Sequence, residues 1–204
     1  GRAELFDPHD RRNLHPFINC TACGPRLTIL EAMPYDRERT SMKEFPMCEA
    51  CHEEYVSPES RRYDAQPVCC NDCGPEVYLL GHEAVRGDAS ITEVRPVLAA
   101  GGIAAINGIG GFHLACDATS EETVKRLRAL KHRPQKPFAV MMRDEAAVRS
   151  ACHLEPGEAA MMTGHQKPIL LLRRRKDSPL APSVAPGNPK VGVMLPYAPM
   201  QMLI

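Results

Sequence analysis

Apolar residues are patterned differently in the two parts of this chain. From about residue 92 onward they gather into runs of strand length, 103–106 (IAAI), 138–142 (FAVMM), 169–172 (ILLL) and 191–195 (VGVML), each short enough for a buried strand. Helical spacing separates the runs. Thr119 and Glu122 read as a capping box for a helix over residues 119–131, with Val124, Leu127 and Leu130 on one face and Pro134 past its end. A second helix is expected over 145–151. A third should start near Thr92, carry Pro96 in its first turns and stop before Gly101-Gly102. Strands alternating with helices imply an α/β layer arrangement. The Pro-rich stretch 179–189 precedes the last strand, and the sheet is expected to be incomplete within the chain.

Residues 1–80 lack this periodicity and carry a repeat instead. At a constant offset of 50 residues, Pro8 matches Pro58, Arg11 and Arg12 match Arg61 and Arg62, and Cys20, Cys23, Gly24 and Pro25 match Cys70, Cys73, Gly74 and Pro75. Such self-similarity denotes two copies of one structural unit. The predicted organisation is a tandem cysteine module over 1–80, a short polar linker over 81–91 (GHEAVRGDASI) and an α/β domain over 92–204.

The cysteines define the first candidate site. Nine are present, six of them in three CxxC pairs. A CxxC turn presents two thiolates to one ion, and a second CxxC completes the tetrahedral four-sulfur shell that zinc prefers. Cys48, Cys51, Cys70 and Cys73 form a complete set, the two pairs separated by eighteen residues. By the offset, Cys20 and Cys23 are half of a second zinc site whose other ligands would precede Gly1. Were a second ion held, His9 and His15 are further candidates. Cys69 faces Asn19 in the repeat and is read as a non-ligand, while Cys116 and Cys152 read as small buried hydrophobes. A closed sulfur shell is structural rather than catalytic.

Charge narrows the partners. With 25 basic and 25 acidic residues no net field draws the chain to nucleic acid or anionic lipid. No run approaches the roughly 18 to 20 apolar residues of a membrane span. The N-terminus lacks a signal-peptide core, so a soluble, cytoplasmic setting is expected. Any anion site must be local. The segment Lys131-His132-Arg133-Pro134-Gln135-Lys136-Pro137 concentrates cations at the end of the predicted helix. Its prolines stiffen it, which suits a nucleotide phosphate. Residues 107–113 (NGIGGFH) form a Gly-rich turn after a strand, where backbone N–H groups can approach a phosphate. Helix-end electrostatics and ordinary turn formation are the simpler accounts of these two features.

The repeated units around PFINCTACGPRLTIL and AQPVCCNDCGP, followed by INGIGGFHLACDAT, LRALKHRPQKPFAVM and VGVMLPYAPMQMLI, closely resemble the HypF family of carbamoyltransferases that mature [NiFe]-hydrogenases. From about residue 86 the chain also resembles the wider YrdC-like family. The resemblance implies a tandem zinc-knuckle module followed by a YrdC-like α/β domain with a mixed, twisted sheet, an α+β chain overall. It implies a longer protein, with this chain holding a first finger truncated at its N-terminus and a YrdC-like domain truncated at its C-terminus. It implies chemistry in which carbamoyl phosphate and ATP, with Mg2+, give a carbamoyl-adenylate, and the carbamoyl group passes to the C-terminal cysteine of a HypE-like partner. Lys131 and Arg133 occupy the family's Lys-x-Arg; with Lys136, Gly110, Gly111, Phe112 and His113 they would line the adenylate pocket. The family's downstream Ser-x-Asn element has no counterpart here, so the chain alone is expected to be inactive.

Two other readings compete. The YrdC-like part alone would fit a threonylcarbamoyl-adenylate synthase acting in tRNA modification. A zinc-stabilised, non-catalytic interaction module would need only residues 1–80. The cysteine repeat favours the carbamoyltransferase.

Overall fold

The computed structural model describes residues 1–108 and 111–204, with His82 and Glu83 described by their backbone alone. It divides into two compact units, one formed by residues 1–93, 108–111 and 198–204, the other by 94–107 and 112–197.

The first unit is mostly turns. Its regular elements are α1 (Arg2–Phe6), α2 (Glu49–Val56) and a small antiparallel hairpin of β1 (Tyr78–Leu79) and β2 (His82–Arg86). The fifty-residue repeat is visible in the backbone. Leu14 N–H donates to Leu5 O and Asp64 N–H to Tyr55 O, both at 2.9 Å. Leu14 and Asp64 also share a left-handed conformation, φ 54° and 52°. Its apolar cores are small: Cys51, Ala65, Val68 and Cys70 form one, and Leu5, Ile18, Ile91 and Leu203 of α7 (Pro199–Leu203) form another. So little apolar burial supplies only a modest share of folding free energy, which leaves the sulfurs and ion pairs to hold the unit.

Residues 81–91, read from sequence as a linker, contain β2 and the start of α3 (Asp88–Ala99). Gly81 and Gly87, at φ 85° and 60°, bracket the strand with turns, so a polar, glycine-containing stretch folds. Helix α3 begins four residues before Thr92 and holds Pro96 in its interior. It ends in a Schellman turn: Gly101 at φ 81° donates to Leu98 O at 3.0 Å, and Gly102 to Val97 O at 2.7 Å.

In the second unit β3 (Ala104–Gly108) pairs with β4 (Gly111–Ala115). A separate three-stranded sheet runs in the order β5 (Ala139–Met141), β7 (Lys190–Met194), β6 (Leu170–Arg173), with β5 parallel and β6 antiparallel to β7. The sheet is therefore mixed. Helices α4 (Glu121–Leu130), α5 (Glu145–Ala151) and α6 (Pro156–Thr163) share its core, where Val124, Val148, Met162, Leu172 and Val193 are at most 1% exposed. Cys152 is buried there and Cys116 packs against it, so both behave as small hydrophobes.

Helix α4 departs from expectation at both ends. Its cap is Ser120, whose Oγ accepts from Thr123 N–H, because Thr119 is held by Asp117 Oδ1 through its N–H and its hydroxyl at 2.8 and 2.7 Å. At the other end Leu130 is 63% exposed while Arg128 is buried. Each residue turns about 100° around a helix, so Leu130 lies some 120° from Val124, whereas Arg128 lies within about 40° and takes the inward position.

Candidate functional site

The Cys48–Cys51 knuckle sits at the start of α2, with Cys48 as its N-cap residue. The Cys70–Cys73 knuckle closes through Gly74 N–H to Cys70 O at 2.9 Å. A Cβ at Gly74 would stand 2.8 Å from Cys70 O and 3.0 Å from Cys69 Sγ, which is why glycine follows the pair. The four sulfurs converge. Cys48 to Cys70 and Cys70 to Cys73 are each 3.8 Å, Cys51 to Cys73 is 3.6 Å, and all four lie within 4.8 Å of one another. A tetrahedron with metal–sulfur bonds of about 2.3 Å has edges of about 3.8 Å, so the cluster fits zinc.

Its electrostatics also fit a cation. Burial and the neighbouring thiols hold Cys51 well above the ordinary thiol range and raise Cys70, whereas hydrogen bonds to Cys48 outweigh its burial and bring it to about 7. Four thiolates can coexist so closely only around a dication. Arginines supply N–H donors beside them. Arg11 Nη1 lies 3.3 Å from Cys51 Sγ and 3.7 Å from Cys48 Sγ, and Arg12 Nη2 lies 3.5 Å from Cys51 Sγ. Both arginines pair with Glu54, as does Arg62. The sequence marks these arginines only as matched positions of the repeat; their recurrence beside each knuckle was the available signal.

Cys20 and Cys23 form the corresponding knuckle, their sulfurs 3.4 Å apart. Among the described residues, no further metal-binding group of three or more joins them. His15 is not a ligand there: its Nε2 is 3.3 Å from Cys69 Sγ and its Nδ1 2.8 Å from Asn71 Oδ1. Burial then explains why Cys69 stays a thiol, pushed up to about 12.

The basic segment follows α4. Lys131 is the C-cap of the helix, with Lys136 exposed and Arg133 half-buried. Arg128, missed from sequence, pins this loop. Its Nε donates to Ser183 O at 2.5 Å and its Nη2 to Val184 O at 3.0 Å. Its Nη1 reaches Arg133 O at 2.8 Å and Lys136 O at 3.1 Å. The guanidinium also lies 4.4 Å from the Phe138 ring centroid, a cation–π distance. Glu121 completes the support by accepting from Ser183 N–H at 2.9 Å and Ser183 Oγ at 2.6 Å.

Of the Gly-rich positions, Gly110 lies outside the described residues. Gly111 opens β4 at φ 137° with open space where a Cβ would stand. Phe112 and His113 are exposed on β4, and among the described residues no hydrogen bond joins either to Lys131, Arg133 or Lys136. No helix among the described residues is long and apolar enough to cross a membrane.

Comparison with known proteins accounts for both parts. Residues 2–30 and 47–80 match the HypF finger, and residues 96–204 match the Sua5/YciO/YrdC family, described as telomere recombination. The chain is 50% identical over 206 residues to the carbamoyltransferase HypF2 of Cupriavidus necator, covering 99% of this chain and 25% of that protein. The crystal structure of T. kodakarensis HypF matches with a TM-score of 0.92 at 47% identity, over 99% of this chain and 27% of that one. A crystal structure of full-length HypF in the phosphate- and nucleotide-bound form matches with a TM-score of 0.89 at 48% identity, over 99% and 26%. This chain thus spans about a quarter of the length of the curated relatives it matches. Finger repeat, four-cysteine cluster and YrdC-like domain occur together in one polypeptide, and the chain belongs to the HypF carbamoyltransferase family.

Proposed function

We propose that this chain is the zinc-finger and adenylate-handling portion of a cytoplasmic carbamoyltransferase that converts carbamoyl phosphate, ATP as its Mg2+ complex and water into carbamoyl-adenylate, phosphate and pyrophosphate. The carbamoyl group then goes to a cysteine thiolate on a HypE-like partner. In that step the sulfur forms a bond to the carbamoyl carbon while the carbon–oxygen bond to AMP breaks, and AMP leaves with the electron pair. Cations near the phosphate offset the charge that develops on it. Lys131, Arg133 and Lys136 are assigned that role. Gly111, Phe112 and His113 are assigned to the same pocket, with Gly110. Cys48, Cys51, Cys70 and Cys73 hold a structural zinc that leaves no open position for substrate.

The observation that carries the reading is the fixed basic loop. Buried Arg128 binds the backbone carbonyls of Arg133 and Lys136, so the cationic segment is held in shape before any anion arrives, and less ordering entropy is lost on binding. Similarity to a structure titled as phosphate- and nucleotide-bound supports it.

The test uses a family-length protein carrying these residues, incubated with ATP and either carbamoyl phosphate or threonine plus bicarbonate. Adenylate formation with carbamoyl phosphate, reduced at least tenfold by Lys131→Ala or Arg133→Ala, is expected. Adenylate formation only with threonine and bicarbonate would overturn the reading in favour of the threonylcarbamoyl chemistry.

A further inference from the structure

The arginines of each finger copy serve the other copy. Arg11 and Arg12 belong to the first, yet their donors meet Cys48 and Cys51 of the second. Arg61 and Arg62 belong to the second and turn to the first. The glutamates at the matching position follow the same rule. Arg11 Nη2 is 2.6 Å from Glu54 Oε2, and Arg61 Nη1 is 3.2 Å from Glu4 Oε2. Arg12 pairs with Glu54, and Arg62 Nη2 is 2.8 Å from Glu4 Oε1. Even the backbone partners correspond: Arg12 Nε donates to Cys69 O at 2.8 Å and Arg62 Nε to Asn19 O at 3.1 Å. Each of these glutamate and backbone contacts has its counterpart fifty residues along the chain, and Arg62 also reaches Glu54 of its own copy.

Charge explains what such an exchange can do. A divalent ion held by four thiolates is a dianion, and Glu54 beside it adds one more negative charge. Arg11, Arg12 and Arg62 converge on Glu54 and balance the three. Of these cations Arg11 and Arg12 also touch sulfur, and both come from the copy that does not hold the ligands.

We infer that Arg11 and Arg12 form the outer coordination sphere of the metal at Cys48, Cys51, Cys70 and Cys73, so that the first copy governs how tightly the second holds its ion. The simpler arrangement, in which the arginines only dock the copies through Glu54, predicts no effect on the metal itself. The inference rests on the zinc reading of the cluster.

Its test loads the whole chain with Zn2+, or with Co2+ as a spectroscopic stand-in, and compares wild type with Arg11→Gln and Arg12→Lys, using Arg86→Gln as a surface control. Loss of an outer-sphere partner typically weakens a metal site 10- to 100-fold. Arg11→Gln should therefore lower Zn2+ affinity at least tenfold in competition with a chelator. The sulfur-to-cobalt charge-transfer band should move to lower energy as the sulfur loses a hydrogen bond, a shift that a purely structural role would not produce. Arg86→Gln should match wild type. If Arg11→Gln and Arg12→Lys both hold Zn2+ within twofold of wild type and leave the cobalt band in place, the inference is wrong. If wild type itself binds no Zn2+, the zinc reading fails first.

Discussion

His15 and Cys69 meet inside the paired fingers, His15 Nε2 lying 3.3 Å from Cys69 Sγ with both residues 1% exposed. Asn71 Oδ1, 2.8 Å from Nδ1, accepts a proton held on Nδ1 and leaves Nε2 to accept from the thiol. Burial holds His15 down to about 4, a cost that its bond to Asn71 only partly offsets. In the unfolded chain the imidazole titrates near 6.5. Stability from the neutral ring is therefore complete above about pH 6.5 and is lost as pH falls toward 4, a difference of roughly 3 kcal/mol. A pH series of urea unfolding from 7 to 4 checks it: His15→Gln should be less stable at pH 7 and should lose less than wild type on acidification.

Arg128→Met should cost about 3 kcal/mol, since Ser183 O, Val184 O and Arg133 O lose their donor inside the protein. The shift in the denaturation midpoint of the second unit is the measure. An unchanged midpoint would show that the loop holds its shape without the guanidinium.

Gly101→Ala should destabilise by about 1 kcal/mol. Residue 101 is left-handed at φ 81°, and an added Cβ would sit 3.1 Å from Thr123 Oγ1. Ser120→Ala should cost a similar amount by removing the N-cap acceptor for Thr123 N–H. Equilibrium unfolding of both variants, compared with Thr119→Ala, checks which residue caps α4.

Much of this architecture was legible because short-range chemistry fixes it. The CxxC spacing brings sulfurs together wherever the backbone turns, and the apolar runs over 139–141, 170–172 and 191–194 became strands, buried at Val140, Leu172 and Val191 to Val193 but exposed at Ala139 and Leu171. Other elements left weaker marks. Strand β4 carries exposed residues from Gly111 to Leu114, so its pattern resembled a glycine loop. Helix α6 buries only Ala159 and Met162 and has no apolar stripe long enough to stand out; its start is marked instead by Pro156 and by Glu158 accepting from Glu155 N–H at 3.0 Å. The burial of Arg12, Arg62 and Arg128 left no mark beyond the repeat, because burial of a cation is decided by carbonyls and carboxylates far away in sequence.

Metal content of the purified chain tests the account most directly. Elemental analysis should find one zinc ion per chain in wild type and in Cys69→Ser, whose thiol stands outside the cluster, and should find that ion lost from Cys70→Ser. Zinc retained by Cys70→Ser, or absent from wild type, would contradict it.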